Sequence, residues 1–447
     1  MQNILHLKAP GNWINDPNGF IYSKGAYHLF YQYFPYEPIW GTMHWGHAVS
    51  KDLIHWEHLG VALYPTKEFD SNGIFSGSAV EKDGELLLYY TAVHYEKEDP
   101  EYIHAAKDGI NRQSQAMIRS KDGYTFDNLH GKKMVIPSMT DTAIGDPQDC
   151  RDPKVWREGA VYYMCLGSTH LKKEGVLLIY QSSDGENWEY RSRLQDRRLG
   201  HTLECPDLFR LGDRYVLVCS PMGNYAGGAW PESQSTMQQV EFDPSNGNVT
   251  LCGDETPKLL DYGLDLYAPQ SNLDAEGRRV VIAWVRMPLP QRAEDNEASG
   301  GKPWNGMMSL PRLVELRDGE IVTPVHPNVR EYFADAARSS EDEKLTRWEK
   351  ENRSRVCAVM RNGESLRVNG VEISLRDGCV CADRTGLLPE NAVWHRMGRT
   401  PYVGKECSLE IYAERNLIEI FVNDGQYVVS QVIYPEQKPG ATSDQGQ

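Results

Sequence analysis

The 447 residues carry 63 acidic against 47 basic side chains, a formal charge of −16, with 40% hydrophobic and 25% charged residues. A field of that sign repels phosphate backbones and anionic membranes, which argues against nucleic-acid and membrane partners. The length calls for two domains, or one large repeat domain with an appendage.

The start, "MQNILHLKAP", lacks a basic stretch followed by a long apolar run, and no window nears the roughly 18 uninterrupted apolar residues of a membrane span. Nine Cys, an odd number without C-x-x-C spacing, read as reduced core thiols. A cytoplasmic address is expected. The segment "GNWINDPNGF" (11–20) comes next, a cluster of turn formers flanked by apolar residues with the carboxylate Asp16 between them.

From there a two-part unit recurs. A Gly-containing turn leads into an apolar or aromatic run in "KGAYHLFYQY", "KDGELLLYYT", "REGAVYYMCLG", "LGDRYVLVCS" and "AEGRRVVIAWV". The turn glycines Gly25, Gly84, Gly159, Gly212 and Gly277 lie 59, 75, 53 and 65 residues apart. Before each turn stands a short polar leader into a strand, respectively "NDPNGFIY", "FSGSAVE", "RDPKVW", "ECPDLFR" and "LYAPQSNL". Five β-rich units of this kind predict a five-bladed β-propeller over residues 1–315, with each leader opening an innermost strand. A sandwich or solenoid explains the hairpins alone, but not the repeating leaders.

Residues 316–345 are charged and partly helical in pattern, and read as a linker. Over 346–436, alternation with the hairpin turns "VNG" and "NDG" predicts a β-sandwich. The end, 437–447, reads as a disordered tail.

Three carboxylates open innermost strands: Asp16, Asp152 and Glu204. A propeller would gather them on its axis, where crowding of like charges drives proton affinities apart, as acetal cleavage requires of an acid and a nucleophile or base. Arg151 beside Asp152 is expected to keep that carboxylate ionised. Glu204, between Leu203 and Cys205, is then the better acid. A Ca²⁺ site is the competing reading of such a trio, although no closely spaced D-x-D-x-D-G run occurs. No metal and no cofactor is expected, since zinc, phosphate-loop and dinucleotide motifs are absent from the sequence. Aromatic faces such as Trp40 suit sugar C–H surfaces, and Asn15, Gln32 and Ser78 suit sugar hydroxyls, whereas Trp56 reads as core.

"WINDPNG", "FSGS", "RDP", "EC", "LDYGLDLYAPQ" and "WNGMMSLPR" occur in one order along the first domain, and "LIEIFVNDGQYVVSQVIYP" lies in the second. Together they resemble the invertase, inulinase and levanase family, glycoside hydrolase family thirty-two. The resemblance implies a propeller plus sandwich and a retaining, two-step transfer of a β-fructofuranosyl unit from sucrose or short fructo-oligosaccharides. It implies Asp16 as nucleophile, Glu204 as general acid/base and Asp152 as transition-state stabiliser. Asn15, Gln32, Trp40, Ser78 and Arg151 would line the fructose subsite, with Trp13 and Trp304 completing the substrate-binding set. Sucrose-6-phosphate hydrolysis, fructan-specific hydrolysis, fructosyl transfer, an inverting arabinan-type hydrolase and a non-catalytic sugar binder are the alternatives. A small carbohydrate is the expected partner, and the chain is expected to be a monomer or homodimer.

Overall fold

The structure, a computed structural model, describes residues 2–223, 233–253, 256–342 and 345–434. The stretch 437–447, expected to be a tail, lies outside them. The chain divides into two units, of which the first comprises Met1–Leu260, Leu266–Arg286 and Pro290–Glu331.

The first unit is a β-propeller, and among its described residues five sheets follow one another in chain order, antiparallel except for one added strand. Their first strands are Asn12–Ser23, Gly73–Lys82, Cys150–Glu158, Thr202–Leu211 and Leu266–Leu273. Each packs against the next, and the last packs against the first, so the five strands close a ring. Each is followed, across a Gly turn with positive φ at Gly25, Gly84, Gly159, Gly212 or Gly277, by a second antiparallel strand. Those turn positions need left-handed backbone, which glycine adopts without a steric penalty. Trp304–Asn305 adds in parallel to Asn12–Ser23, tying the end of the unit to its beginning. Apolar clusters fill the space between neighbouring sheets. Phe30, Trp45, Leu88 and Ile118 belong to one, and Tyr89, Met164 and Leu178 to the next.

The second unit, Asp261–Asp265 with Met287–Leu289 and Tyr332–Gln447, is a β-sandwich. Its six-stranded sheet runs Ala337–Asp342, Leu345–Lys350, Arg353–Arg361, Glu406–Ala413, Leu417–Val422 and Tyr427–Val432, and a four-stranded sheet spans Ser365 to Tyr402. The stretch 316–345 holds a hairpin (Glu315–Arg317 with Glu320–Val322), the short helix Pro327–Tyr332 and then the strand Ala337–Asp342. That strand is at a sheet edge, where charged residues are ordinary and the alternation that betrays an inner strand is missing.

Within this unit Arg384 is fully buried. Its guanidinium makes a fork with Asp265, one arm at 2.8 Å, and donates to the carbonyls of Val432 and His395, each at 2.7 Å. Removing one partner of such a pair strands a charge in a low-dielectric interior. Arg384→Met is therefore expected to destabilise the protein by about 3–5 kcal/mol, read as a lowered denaturation midpoint. An unchanged midpoint would show that Asp265 is solvated after all.

Candidate active site

The polar leaders share a backbone device. In all five first strands the pairing register slips at the same place, between Ile14 and Pro17, Ile74 and Gly77, Arg151 and Lys154, Glu204 and Asp207, and Tyr267 and Gln270. Each slip is a β-bulge, which bends a strand and re-aims its side chains. In the last three strands the bulge puts a non-glycine residue before proline into left-handed backbone: Asp152 at φ 62°, Cys205 at 48° and Ala268 at 50°. Proline disfavours helical backbone in the residue before it and an L side chain disfavours positive φ, so the conformation is strained and is held by the surrounding ring.

The bulges bring Asp16, Asp152 and Glu204 together. The Trp13 indole donates to Asn15 at 2.9 Å, and the Asn15 amide donates to Asp16 Oδ1 at 3.1 Å. Asp16 Oδ2 accepts from the Ser76 hydroxyl at 2.5 Å. The Cys205 thiol lies 3.5 Å from Asp16 Oδ2 and 3.5 Å from Asp152 Oδ2, and the Cys205 amide donates to Asp152 Oδ2 at 2.8 Å. Burial above all, then the neighbouring charges of Asp152 and Asp16, push the thiol well above its usual range, so it remains a donor.

Arg151 corrects the sequence reading. Adjacent strand residues project to opposite faces, and the guanidinium reaches across to Glu204 instead of turning to Asp152. Its Nε and Nη2 donate to Glu204 Oε1 at 3.1 and 3.0 Å, and a third nitrogen reaches Asp149 at 2.5 Å. The other Glu204 oxygen accepts from the Tyr267 hydroxyl at 2.6 Å. Asp152 is not the ionised member expected from its neighbour. Burial pushes it up to about 7, with Glu204 and Asp16 adding to the rise against the opposing charge of Arg151. Burial also lifts Asp16 to about 6, against hydrogen bonds from Ser76, Asn15 and Cys205 that favour its anion.

The remaining candidates separate. Gln32 stands on Ala26–Phe34 opposite the Asn15–Asp16 bulge, buried, its amide donating to the Ile74 carbonyl at 2.9 Å. Trp40 is 42% exposed and meets the ring of Phe75 edge-on at 5.8 Å, which places it one residue from Ser76. Ser78 does not face the site. Its hydroxyl donates to the Pro153 carbonyl at 2.7 Å and accepts from the Val155 amide at 2.9 Å, stitching two first strands together. Trp304 is fully buried with its indole on the Arg292 carbonyl at 3.0 Å, leaving no face for a ligand.

Ser76 and Tyr267 were not singled out from the sequence, although both lie in the leaders. The signal was there: "RDP", "ECP" and "YAP" align at the bulge, so Arg151, Glu204 and Tyr267 hold equivalent places in three successive strands. Residues at equivalent heights around a ring meet one another.

The arrangement is a trio of carboxylates, Asp152 buried and Asp16 and Glu204 half-buried, two of them with raised proton affinity and the third held by a guanidinium and a phenol. It suits acid-assisted displacement at an acetal carbon. Comparison with known proteins gives the same direction. The family description "Glycosyl hydrolases family 32 N-terminal domain" matches residues 6–324, and "Glycosyl hydrolases family 32 C terminal" matches 379–445. The chain is 34% identical to a raffinose invertase of Escherichia coli and 32% identical to a sucrose-6-phosphate hydrolase of that organism, covering 97% of this chain and 89% of the relative in both cases. Among solved structures it is similar to the β-fructofuranosidase BmSUC1 of Bombyx mori, with a TM-score of 0.77, 29% identity, and coverage of 96% and 88%. Among the described residues, no helix is long and apolar enough to cross a membrane.

Proposed function

The chain belongs to glycoside hydrolase family 32 and is a fructoside-cleaving enzyme, and from that premise we propose that it is a retaining, exo-acting β-fructofuranosidase. Its substrate is sucrose or a short fructo-oligosaccharide. The observation that carries the reading is the meeting of Asp16 and Asp152 at the Cys205 thiol, with Glu204, held by Arg151, close enough for its charge to act on both.

Asp16 attacks the anomeric carbon of the terminal fructosyl unit. The bond to the leaving oxygen breaks as Glu204 supplies that oxygen with a proton. Glu204, now ionised, takes a proton from water, which displaces Asp16 and frees fructose. Arg151 and Tyr267 stabilise the charge that alternates on Glu204, and Asp152 holds fructosyl hydroxyls while the ring flattens towards an oxocarbenium ion. Nine free thiols fit a reducing cytoplasm.

Incubation with sucrose, sucrose-6-phosphate, 1-kestose, inulin and levan, following released fructose, tests the reading. No release from any of them would end it. One observation favours the phosphorylated disaccharide as a second reading: the Arg286 guanidinium lies 4.9 Å from the ring centroid of Tyr267, beside the Glu204 pair. His47 gives it no support, being buried against Phe30 and His28.

The raised carboxylates also set a pH dependence. The rate constant kcat/KM is expected to fall as pH drops through about 6, where Asp16 takes up a proton and can no longer attack. Asp16 titrates beside Asp152 and Glu204, so this acid limb belongs to the coupled group rather than to one residue. A rate that stays level from about pH 4 to pH 6 would contradict this, because a solvated Asp titrates near 4.

A further inference from the structure

Arg151 serves two carboxylates. Two of its nitrogens lie on Glu204, and the third donates to Asp149 Oδ1 at 2.5 Å, with the Gln113 amide oxygen 3.4 Å away. The main chain of Asp149 is fixed. Its amide donates to Asp146 Oδ1 at 3.2 Å, and its carbonyl accepts from the Ser168 hydroxyl at 2.5 Å. Its other carboxylate oxygen accepts from the Lys172 ammonium, which also reaches Asp146 at 2.9 Å.

Lys172 reaches that position from a strained turn. The hairpin between Val161–His170 and Glu174–Ser182 closes with the Lys173 amide on the His170 carbonyl at 3.0 Å. Its two central residues, Leu171 and Lys172, are both left-handed, at φ 54° and 57°. Asn, Asp or Gly ordinarily fill such a turn, because positive φ penalises other L residues. Leu171 is 67% exposed, so packing of its side chain does not hold the turn, whereas Lys172 is held by two carboxylates. Strain maintained in this way marks a place where the backbone aims a side chain.

The outcome is a row of alternating charge, Lys172, Asp149, Arg151 and Glu204, that begins at half-exposed Lys172 and passes through the buried guanidinium. Burial alone would raise Asp149, but Arg151 and Lys172 hold it below the usual carboxylate range, so it remains an anion. Among the described residues, Asp149 faces Arg151 and Lys172, with Asp146 on the far side of Lys172. Glu204 meets Arg151 and Tyr267, has Asp16, Asp152 and Cys205 near enough for charge to act, and has Arg286 over the Tyr267 ring.

Resting on the fructosidase reading above, we propose that Asp149 and Lys172 are positioning residues that divide the charge of Arg151 between two carboxylates and thereby govern proton transfer at Glu204. Lys172 satisfies Asp149 from the solvent side and leaves more of the guanidinium's charge to Glu204. Asp149 draws that charge back.

A general acid makes kcat/KM fall at high pH, where its proton is lost. The test locates that alkaline limb for wild type, Lys172→Ala, Lys172→Arg and Asp149→Asn on whichever fructoside the wild type cleaves fastest, together with the thermal midpoint of each protein. Without Lys172, Asp149 competes harder for Arg151, the anion of the acid is less favoured, and the limb is expected to move up by about half a pH unit. Without the charge of Asp149, Arg151 acts on Glu204 alone, and the limb is expected to move down by at least as much. Lys172→Arg keeps the cation and is expected to keep the wild-type limb. Lowered midpoints with an unmoved limb, or shifts of the same sign in Lys172→Ala and Asp149→Asn, overturn the proposal. Should Asp149→Asn not fold, the two Lys172 variants decide it. Failure of the fructosidase reading is separately visible, because the wild type would then release no fructose from any of the sugars.

Discussion

Asp16→Asn is expected to lower kcat on sucrose by at least about 10⁴-fold, an increase of roughly 5.4 kcal/mol in the barrier. Asparagine is isosteric and can still occupy the bulge at Ile14–Pro17, but its amide is a poor nucleophile towards an anomeric carbon. It also puts one donor among the donors of Asn15, Ser76 and Cys205 that now converge on the carboxylate. The loss should not come from unfolding. Because the folded pKa of Asp16 is raised from 3.8 to about 6, its contribution to stability is present below about 4 and is lost as pH rises through about 6. At pH 7 the charge is a cost, and the neutral variant is expected to melt above the wild type. A variant that is both inactive and less stable than wild type would leave the inactivity open to a structural explanation and contradict this account. Near-wild-type turnover would remove Asp16 from the nucleophile's role.

Glu204→Gln is expected to lower kcat on sucrose by about 10²–10⁴, the usual worth of a positioned general acid. The amide can still accept from Arg151 through its oxygen, so the geometry of the Arg151 and Tyr267 contacts need not collapse. The two carboxylates should then differ on a substrate whose leaving group needs no proton. With fructosyl fluoride, Glu204→Gln is expected to release a burst of about one fluoride per enzyme and then stall, since no base remains to activate water. Asp16→Asn should give no burst. Absence of a burst in Glu204→Gln, with losses equal on both substrates, would show that Glu204 is not the acid/base.

Much of this could be read without a structure because it depends on periodic chemistry. A Gly turn followed by an apolar run, five times over, demands repeated hairpins, and a polar leader before each demands a common polar end. Asp16, Asp152 and Glu204 could be grouped for that reason, far apart as they are in the chain. The same logic missed Ser76, which bonds Asp16, and chose Ser78, which binds backbone instead. Two serines separated by one glycine are indistinguishable in composition. The register slip between Ile74 and Gly77 decides how each is aimed.

The linear order also misled on charge. Arg151 stands next to Asp152 in sequence, but nearness along a strand is not nearness of side chains. In the ring, Arg151 meets Glu204 and Tyr267, the residues at its own height on the two strands that follow. Trp304 looked like a substrate platform and is sealed inside the first sheet, because its segment adds to Asn12–Ser23 and buries the indole.

The amino-acid sequence alone determined the repeat, the all-β character of both units and which residue types gather at the polar end of the propeller, since turn chemistry, alternation and spacing are local properties of the chain. Tertiary structure alone decided which of those groups face one another, which are buried and which have their proton affinity raised. Those outcomes depend on distances between strands, on bulges that turn individual side chains, and on loss of water from the axis, none of which is encoded by neighbours in sequence. Asp16 shows both halves. Its turn-forming surroundings mark the bend, and burial beside Glu204 lifts its proton affinity to about 6.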